Sequence, residues 1–308
     1  MIYIMRSDPA ASCNAPRCAL RHAGEGRLPV AACVWSGEKT LMHHALVHAM
    51  RAAGLVALGI AAGCGPAQPA RPSTSQAAGS VSQLQTAVLL PAAPAAGSPR
   101  YEADRQVFRA TRALQGTPRW SQAQHDVEYA TPVLLDDFSC AMGVKLDASQ
   151  LPQLTALVDQ ASTAADASTA PAKKANQRQR PFLIDQGATC QPTDQLAKSF
   201  DYPSGHATRG WAVGLVLTEL APDRASDLLL RSRAFADSRV VCGVHNLSAV
   251  EAGAVNGAAV VAALHADAAF QQQLAAARQE LAAYRKTAPS NAGPQCSAEH
   301  ALIAPTPY

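Results

Sequence analysis

Asp147–Ala165 reads DASQLPQLTALVDQASTAA. Leu151, Leu154, Leu157, Val158 and Ala161 recur there at three- and four-residue intervals, the spacing that lines one face of an α-helix. Asp147 or Ser149 stands where a cap would close the first turn. The same texture extends to both sides. Tyr101–Gln115 is rich in Ala, Arg, Leu and Gln, and Ala207–Leu220 is apolar and stops ahead of Pro222. Pro222–Asp237 opens on a proline suited to a first helical turn, and Ser248–Leu264 and Asp267–Tyr284 are Ala-rich with few breakers. No stretch alternates like a strand, β-branched residues are sparse, and no repeat stands out. The expectation is a single all-α domain over residues 87–290. Val88-Leu89-Leu90-Pro91 reads as an extended lead-in to it. A flexible Pro/Ala/Ser/Gln-rich linker over 65–86 precedes it, and a loop-like tail over 291–308 follows.

The chain has 308 residues and a net charge of +3, and that excess lies in residues 1–63, with six bases and three acids. The other 20 bases are matched by 20 acids. A nucleic-acid partner therefore gets no support from charge, while a small anion held by a local cluster stays open. No apolar run reaches the roughly 18–20 residues of a membrane span, so no transmembrane segment is expected. Residues 42–64 read as a signal peptide: Arg51 supplies charge and Ala52–Ala62 (AAGLVALGIAA) is an apolar stretch of h-region length. Cys64 follows Ala-Ala-Gly as in a lipoprotein cleavage box and is a candidate lipid anchor, although Ala61 stands where such boxes carry Leu. Residues 1–41 fit no recognisable element, and Met42 or Met50 is the expected true start. Export leaves Cys140, Cys190, Cys242 and Cys296 in the mature chain; in an oxidising compartment they form two disulfides with three possible connectivities. The alternative is buried free thiols. Cys140–Cys242 with Cys190–Cys296 is the expected pairing.

Three segments concentrate the unusual side chains. In the first, Lys173 and Arg180-Pro181 are seven residues apart, two helical turns, and would share a helix face as an anion clamp, with the planar guanidinium suited to phosphate oxygens. In the second, Tyr202-Pro203-Ser204-Gly205-His206 opens an apolar helix. Its backbone N–H groups and positive helix end favour an oxyanion, Ser204 adds a hydroxyl, Gly205 allows close approach, and His206 could pass a proton to a leaving oxygen. In the third, Ser238-Arg239 precedes His245 by a short interval. Arg239 is a third cation and His245 a candidate nucleophile.

In this order, Lys173…Arg180-Pro181, Pro203–His206 and Ser238-Arg239…His245 resemble the K-x(6)-R-P, P-S-G-H, S-R-x(5)-H signature of the type 2 phosphatidic acid phosphatase superfamily. Phe138-Ser139-Cys140, Arg178-Gln-Arg180-Pro181-Phe182 and Gly210-Trp211-Ala212 are similar to the bacterial class A non-specific acid phosphatases. The resemblance spans roughly Leu89 to Tyr284. It implies the all-helical fold of the acid phosphatases and vanadium haloperoxidases, and an exported, periplasmic or secreted phosphomonoesterase acting on small phosphate esters without a metal or other cofactor. Vanadate or phosphate would occupy the site, and a homodimer is expected. By matching position, His245 would attack phosphorus and carry a phosphohistidine, and His206 would protonate the leaving group. Lys173, Arg180, Arg239, Ser204 and Gly205 would hold the phosphate oxygens. One position departs. The pattern ends H-x(3)-D, and this chain has Ala249, which lacks the carboxylate that would orient the imidazole. Impaired turnover is the expectation, with a catalytically weak phosphate-binding homologue and a vanadate-dependent haloperoxidase as the alternatives.

Overall fold

The computed structural model describes Val81 and residues 84–308. The proposed leader, Cys64, most of the linker and residues 1–41 lie outside the described residues. Within them, eleven α-helices follow one another: α1 Thr86–Leu89, α2 Pro99–Thr111, α3 Pro118–His125, α4 Thr131–Asp137, α5 Ser139–Met142, α6 Pro152–Asn176, α7 Gly205–Leu220, α8 Ala225–Val241, α9 Leu247–Leu264, α10 Ala268–Thr287 and α11 Pro294–Ile303. Among these residues the sole β feature is an isolated bridge between Val144 and Ser290. The all-α expectation therefore holds.

Local chemistry sets the helix starts. Prolines at the first turns of α2, α3, α6 and α11 have no N–H to leave unpaired there. Ser98, Thr117 and Asp267 accept backbone N–H groups as caps of α2, α3 and α10. The core forms where α6, α7, α8 and α9 meet, with Leu154, Leu157, Val158, Val213, Leu217, Leu228, Phe235 and Leu264 all fully buried. Burying each such side chain contributes roughly 1.5–3 kcal/mol. Glycines set how closely the helices approach, Gly214 and Gly253 among them. A Cβ on Gly214 would lie 1.6 Å from Ser232 Oγ on α8, and one on Gly253 of α9 would lie 2.7 Å from the carbonyl oxygen of Ser204. The second contact docks the Pro203–His206 loop directly onto α9.

Several boundaries differ from the sequence reading. Leu151 sits at the N-cap of α6 without a side-chain bond, and Asp147 instead turns back to accept from Ser149. The helix runs on to Asn176, past Pro171. Val88 and Leu89 lie in the helical turn α1 rather than an extended lead-in, because Leu90 is buried beside Ala172 and Tyr202. Pro222–Arg224 is a 3-10 turn ahead of α8. The tail holds helix α11, tied down by Cys140–Cys296. Cys190 pairs with Cys242, so the expected connectivity is corrected: the Cys190 loop runs beside the C-terminus of α8, where its N–H bonds the Cys242 carbonyl at 3.1 Å. Finally, α9 is by length and composition alone long and apolar enough to cross a membrane, contrary to the expectation that no segment would be. Here it packs against α6, α7 and α8 and buries Val250, Gly253, Asn256, Val260, Val261 and Leu264.

Candidate functional site

The three segments singled out in the sequence converge at one end of the α6–α9 core. They do not do so as expected for Lys173 and Arg180. Helix α6 stops at Asn176, Gln177 takes the left-handed conformation (φ 48°), and Arg180 lies on extended backbone beyond it. The two cations meet because the chain turns, not because they share a helix face. Lys173 Nζ donates to the Phe200 carbonyl. Arg180 is held at four points: Nε on Ser199 O at 2.8 Å, Nη2 on Ser199 Oγ at 3.5 Å, and Nη1 on Val244 O at 2.8 Å and on His245 Nε2 at 3.0 Å.

His245 is buried, and its two ring nitrogens face opposite chemistry. Nδ1 lies 2.9 Å from Asp201 Oδ1, while Nε2 faces the Arg180 donor. An acceptor on one side and a guanidinium on the other assign the proton to Nδ1 and a lone pair to Nε2. Burial, then Arg180, Lys173 and Arg239, hold the imidazole well below its ordinary range and hence neutral. Asp201 is fully buried, accepts from Asn246 N at 3.2 Å and Asn246 Nδ2 at 2.8 Å, and has Arg178 Nε 3.7 Å away. Burial lifts its carboxyl to about 6 against the pull of Arg178 and the Asn246 donors.

The expectation of an unsupported imidazole therefore does not hold. Ala249 has no carboxylate, but Asp201 stands against Nδ1. Ala249 is buried among Leu90, Ala172, Tyr202 and Ala252, and its carbonyl accepts the Ser204 N–H at 2.9 Å.

Ser204 is the N-cap of α7, its Oγ accepting from Ala207 N at 3.4 Å. A Cβ on Gly205 would meet only Thr169 Oγ1, at 3.9 Å, so the protein leaves the helix end open there. His206 Nε2 lies 3.0 Å from the Val127 carbonyl, which places the Nε2 proton on that bond and leaves Nδ1 as the second site. Tyr129 meets the ring edge-on at 4.5 Å. Burial and then Arg239 push the His206 pKa well below its ordinary value. Arg239 is buried, gives Nη2 to Gln191 Oε1, and has no protein partner for Nε or Nη1. Burial and then Arg180 bring it down to about 9, and the same two causes bring Lys173 down to about 7. Two buried guanidiniums and the half-buried Lys173 ammonium depress one another, with one carboxylate among them, a charge balance that suits an anion.

Sequence reading missed four supports. Besides Asp201 there is Asp104 on α2, which binds Arg178 Nη2 at 2.7 Å and the Ser248 N–H at 2.9 Å. Asp126 is paired with Arg231 at 2.7 Å and accepts from Ser238 Oγ. Arg119 gives Nη1 to Ser238 Oγ at 3.0 Å. The serine of the S-R motif is thus spent inside the protein, anchoring the loop whose Val127 carbonyl orients His206. Ser238 to Asp126 spans 112 residues, and no periodicity signals a contact of that reach.

The profile of the PAP2 superfamily matches residues 157–272, which include all three segments. An acid phosphatase of Zymomonas mobilis is 41% identical over 197 residues, 63% of this chain and 75% of the relative. Non-specific acid phosphatases of Salmonella typhimurium (37% over 195 residues, 62% and 78%) and Providencia stuartii (35% over 206 residues, 66% and 83%) are similar to it as well. With these likenesses across most of each relative, the chain belongs to the PAP2 superfamily. Within it, the relatives it matches bear the names acid phosphatase and non-specific acid phosphatase.

Proposed function

We propose that this protein is an acid phosphatase that hydrolyses small phosphate monoesters through a phosphohistidine on His245. The carrying observation is the polarised imidazole: Nδ1 against Asp201 at 2.9 Å, Nε2 turned to the Arg180 guanidinium among the buried cations. The Nε2 lone pair attacks phosphorus and the bond to the leaving oxygen breaks. Lys173, Arg180, Arg239, the Ser204 hydroxyl and the Gly205 N–H hold the phosphoryl oxygens, which is most of what phosphoryl transfer asks of a protein. His206 Nδ1 gives its proton to the departing alkoxide. Water then attacks the phosphorus, the P–N bond breaks, and His206 takes the proton from that water. Since burial and then the neighbouring cations oppose protonation of His206, its acid form is favoured by acidic medium, while the Asp201 carboxyl, at about 6, has to stay ionised; together these support a mildly acidic working range. Three cations and a helix end supply the charge, so this reading assigns no metal.

Two disulfides support residence in an oxidising compartment and hence export. The test is hydrolysis of p-nitrophenyl phosphate at acidic pH, with vanadate as inhibitor and EDTA as control. Turnover blocked by vanadate, indifferent to EDTA and abolished by His245→Ala is expected. Phosphate or vanadate binding without turnover would instead favour the binding homologue, and turnover surviving His245→Ala would remove His245 from its role.

A further inference from the structure

The superfamily pattern puts its orienting carboxylate four residues after the nucleophile, on the helix that follows. Here that position is Ala249 on α9, which is buried and packs with Leu90, Ala172, Tyr202 and Ala252. The carboxylate on the imidazole comes from a different element, the loop that leads into Pro203-Ser204-Gly205-His206. We propose that Asp201 is the positioning residue for His245, a carboxylate relocated from the α9 helix to the oxyanion loop, with position 249 released to pack as alanine. The inference rests on the phosphatase reading of the same site.

The arrangement is built rather than incidental. The Asp201 N–H bonds the Arg178 carbonyl at 2.9 Å, and its carboxylate takes two donors from Asn246, the residue after the nucleophile. Arg178 lies between Asp201 and Asp104, so the added buried charge has a cation beside it. The two positions remain mechanically joined: Ser204 N–H, three residues from Asp201, bonds the carbonyl of Ala249. Ala249 also packs with Tyr202, the neighbour of Asp201. A carboxylate at 249 would therefore come close to an existing buried carboxylate, where two like charges disfavour one another's ionisation. The roles of 201 and 249 are alternatives. The group that orients the nucleophile and the backbone that cradles the phosphate thus ride on one short segment.

Asp201→Asn keeps the side-chain shape and removes the charge. It is expected to lower kcat by about 10²–10⁴-fold, by analogy with the loss of the orienting carboxylate in a serine-protease triad. KM and the vanadate inhibition constant should move by no more than about threefold. Ala249→Asp alone should give no gain. The double variant Asp201→Asn/Ala249→Asp should recover at least about tenfold over Asp201→Asn, since it restores a carboxylate to the imidazole. A kcat for Asp201→Asn within about threefold of the unmodified protein would overturn the proposal. So would a folded double variant no faster than the single. Imidazole ¹H–¹⁵N NMR makes the test independent of turnover and of whether the double variant folds. A protected Nδ1–H of His245 that Asp201→Asn abolishes is expected. If the unmodified protein shows that proton but no hydrolysis, the phosphatase reading fails and the positioning role stands; if the proton is absent or indifferent to Asp201→Asn, the positioning role fails.

Discussion

His245 is kept neutral by its company. Two unit charges about 4 Å apart cost or gain roughly 4 kcal/mol at the effective dielectric of a protein surface, and Arg180, Lys173 and Arg239 all oppose a proton on this ring. Asp201 favours it, through Nδ1, which leaves the lone pair on Nε2. The same crowding sets a pH dependence. Lys173 is drawn down to about 7 by burial and by Arg180. Its ammonium is present below that pH and lost as pH rises through it, so the free enzyme holds a phosphate dianion less well above about 7. kcat/KM should fall on the alkaline side, and Lys173→Arg, which stays protonated, should move that fall upward even though its different shape lowers the maximum. A pH profile whose alkaline limb is unmoved in Lys173→Arg would exclude Lys173 as its origin.

At the scale of elements, the site depends on how closely the helices seat. The Pro203–His206 loop is pressed onto α9 at Gly253, where a Cβ would meet backbone and not a yielding side chain. Gly253→Val should therefore destabilise by about 1–3 kcal/mol through overpacking and should also lower kcat, because the loop that must shift carries Asp201, Ser204 and His206. Thermal melting together with turnover checks both. The helices themselves were legible from apolar spacing, and so were the three cations and two imidazoles, because each falls at a fixed interval inside a short motif. What joins them was not. Lys173 and Arg180 suggested a shared helix face, but the left-handed Gln177 ends that helix between them. Asp201 stood in plain view beside the P-S-G-H motif, yet its partner lies 44 residues away, and a contact set by the turn of a loop has no period to read. Short helices α3, α4 and α5 were equally silent, being too brief to show a repeating face.

Across the described residues, two disulfides close the outer helices and loops onto the four-helix core. Cys140–Cys296 ties α11 to α5, and Cys190–Cys242 ties the Gln191 loop to the end of α8. Replacing Cys140 and Cys296 by Ser should cost about 2–5 kcal/mol of stability and leave kcat unchanged at temperatures where the variant is folded. Replacing Cys190 and Cys242 should also raise KM, because Gln191, next to Cys190, holds the Arg239 guanidinium. Denaturant melts and steady-state kinetics on the two double variants separate these outcomes; equal effects on KM would contradict the assignment. The pairing was open in the sequence because four cysteines give three connectivities, and only the placement of α11 against α5 decides among them. The most direct test of the account is to trap the intermediate. The protein is mixed with excess p-nitrophenyl phosphate, quenched within the first turnover into alkali, digested and sequenced by mass spectrometry. A phosphoryl group on His245, stable in alkali and lost in acid, is the predicted result. Turnover with no adduct, or an adduct on any other residue, would contradict it.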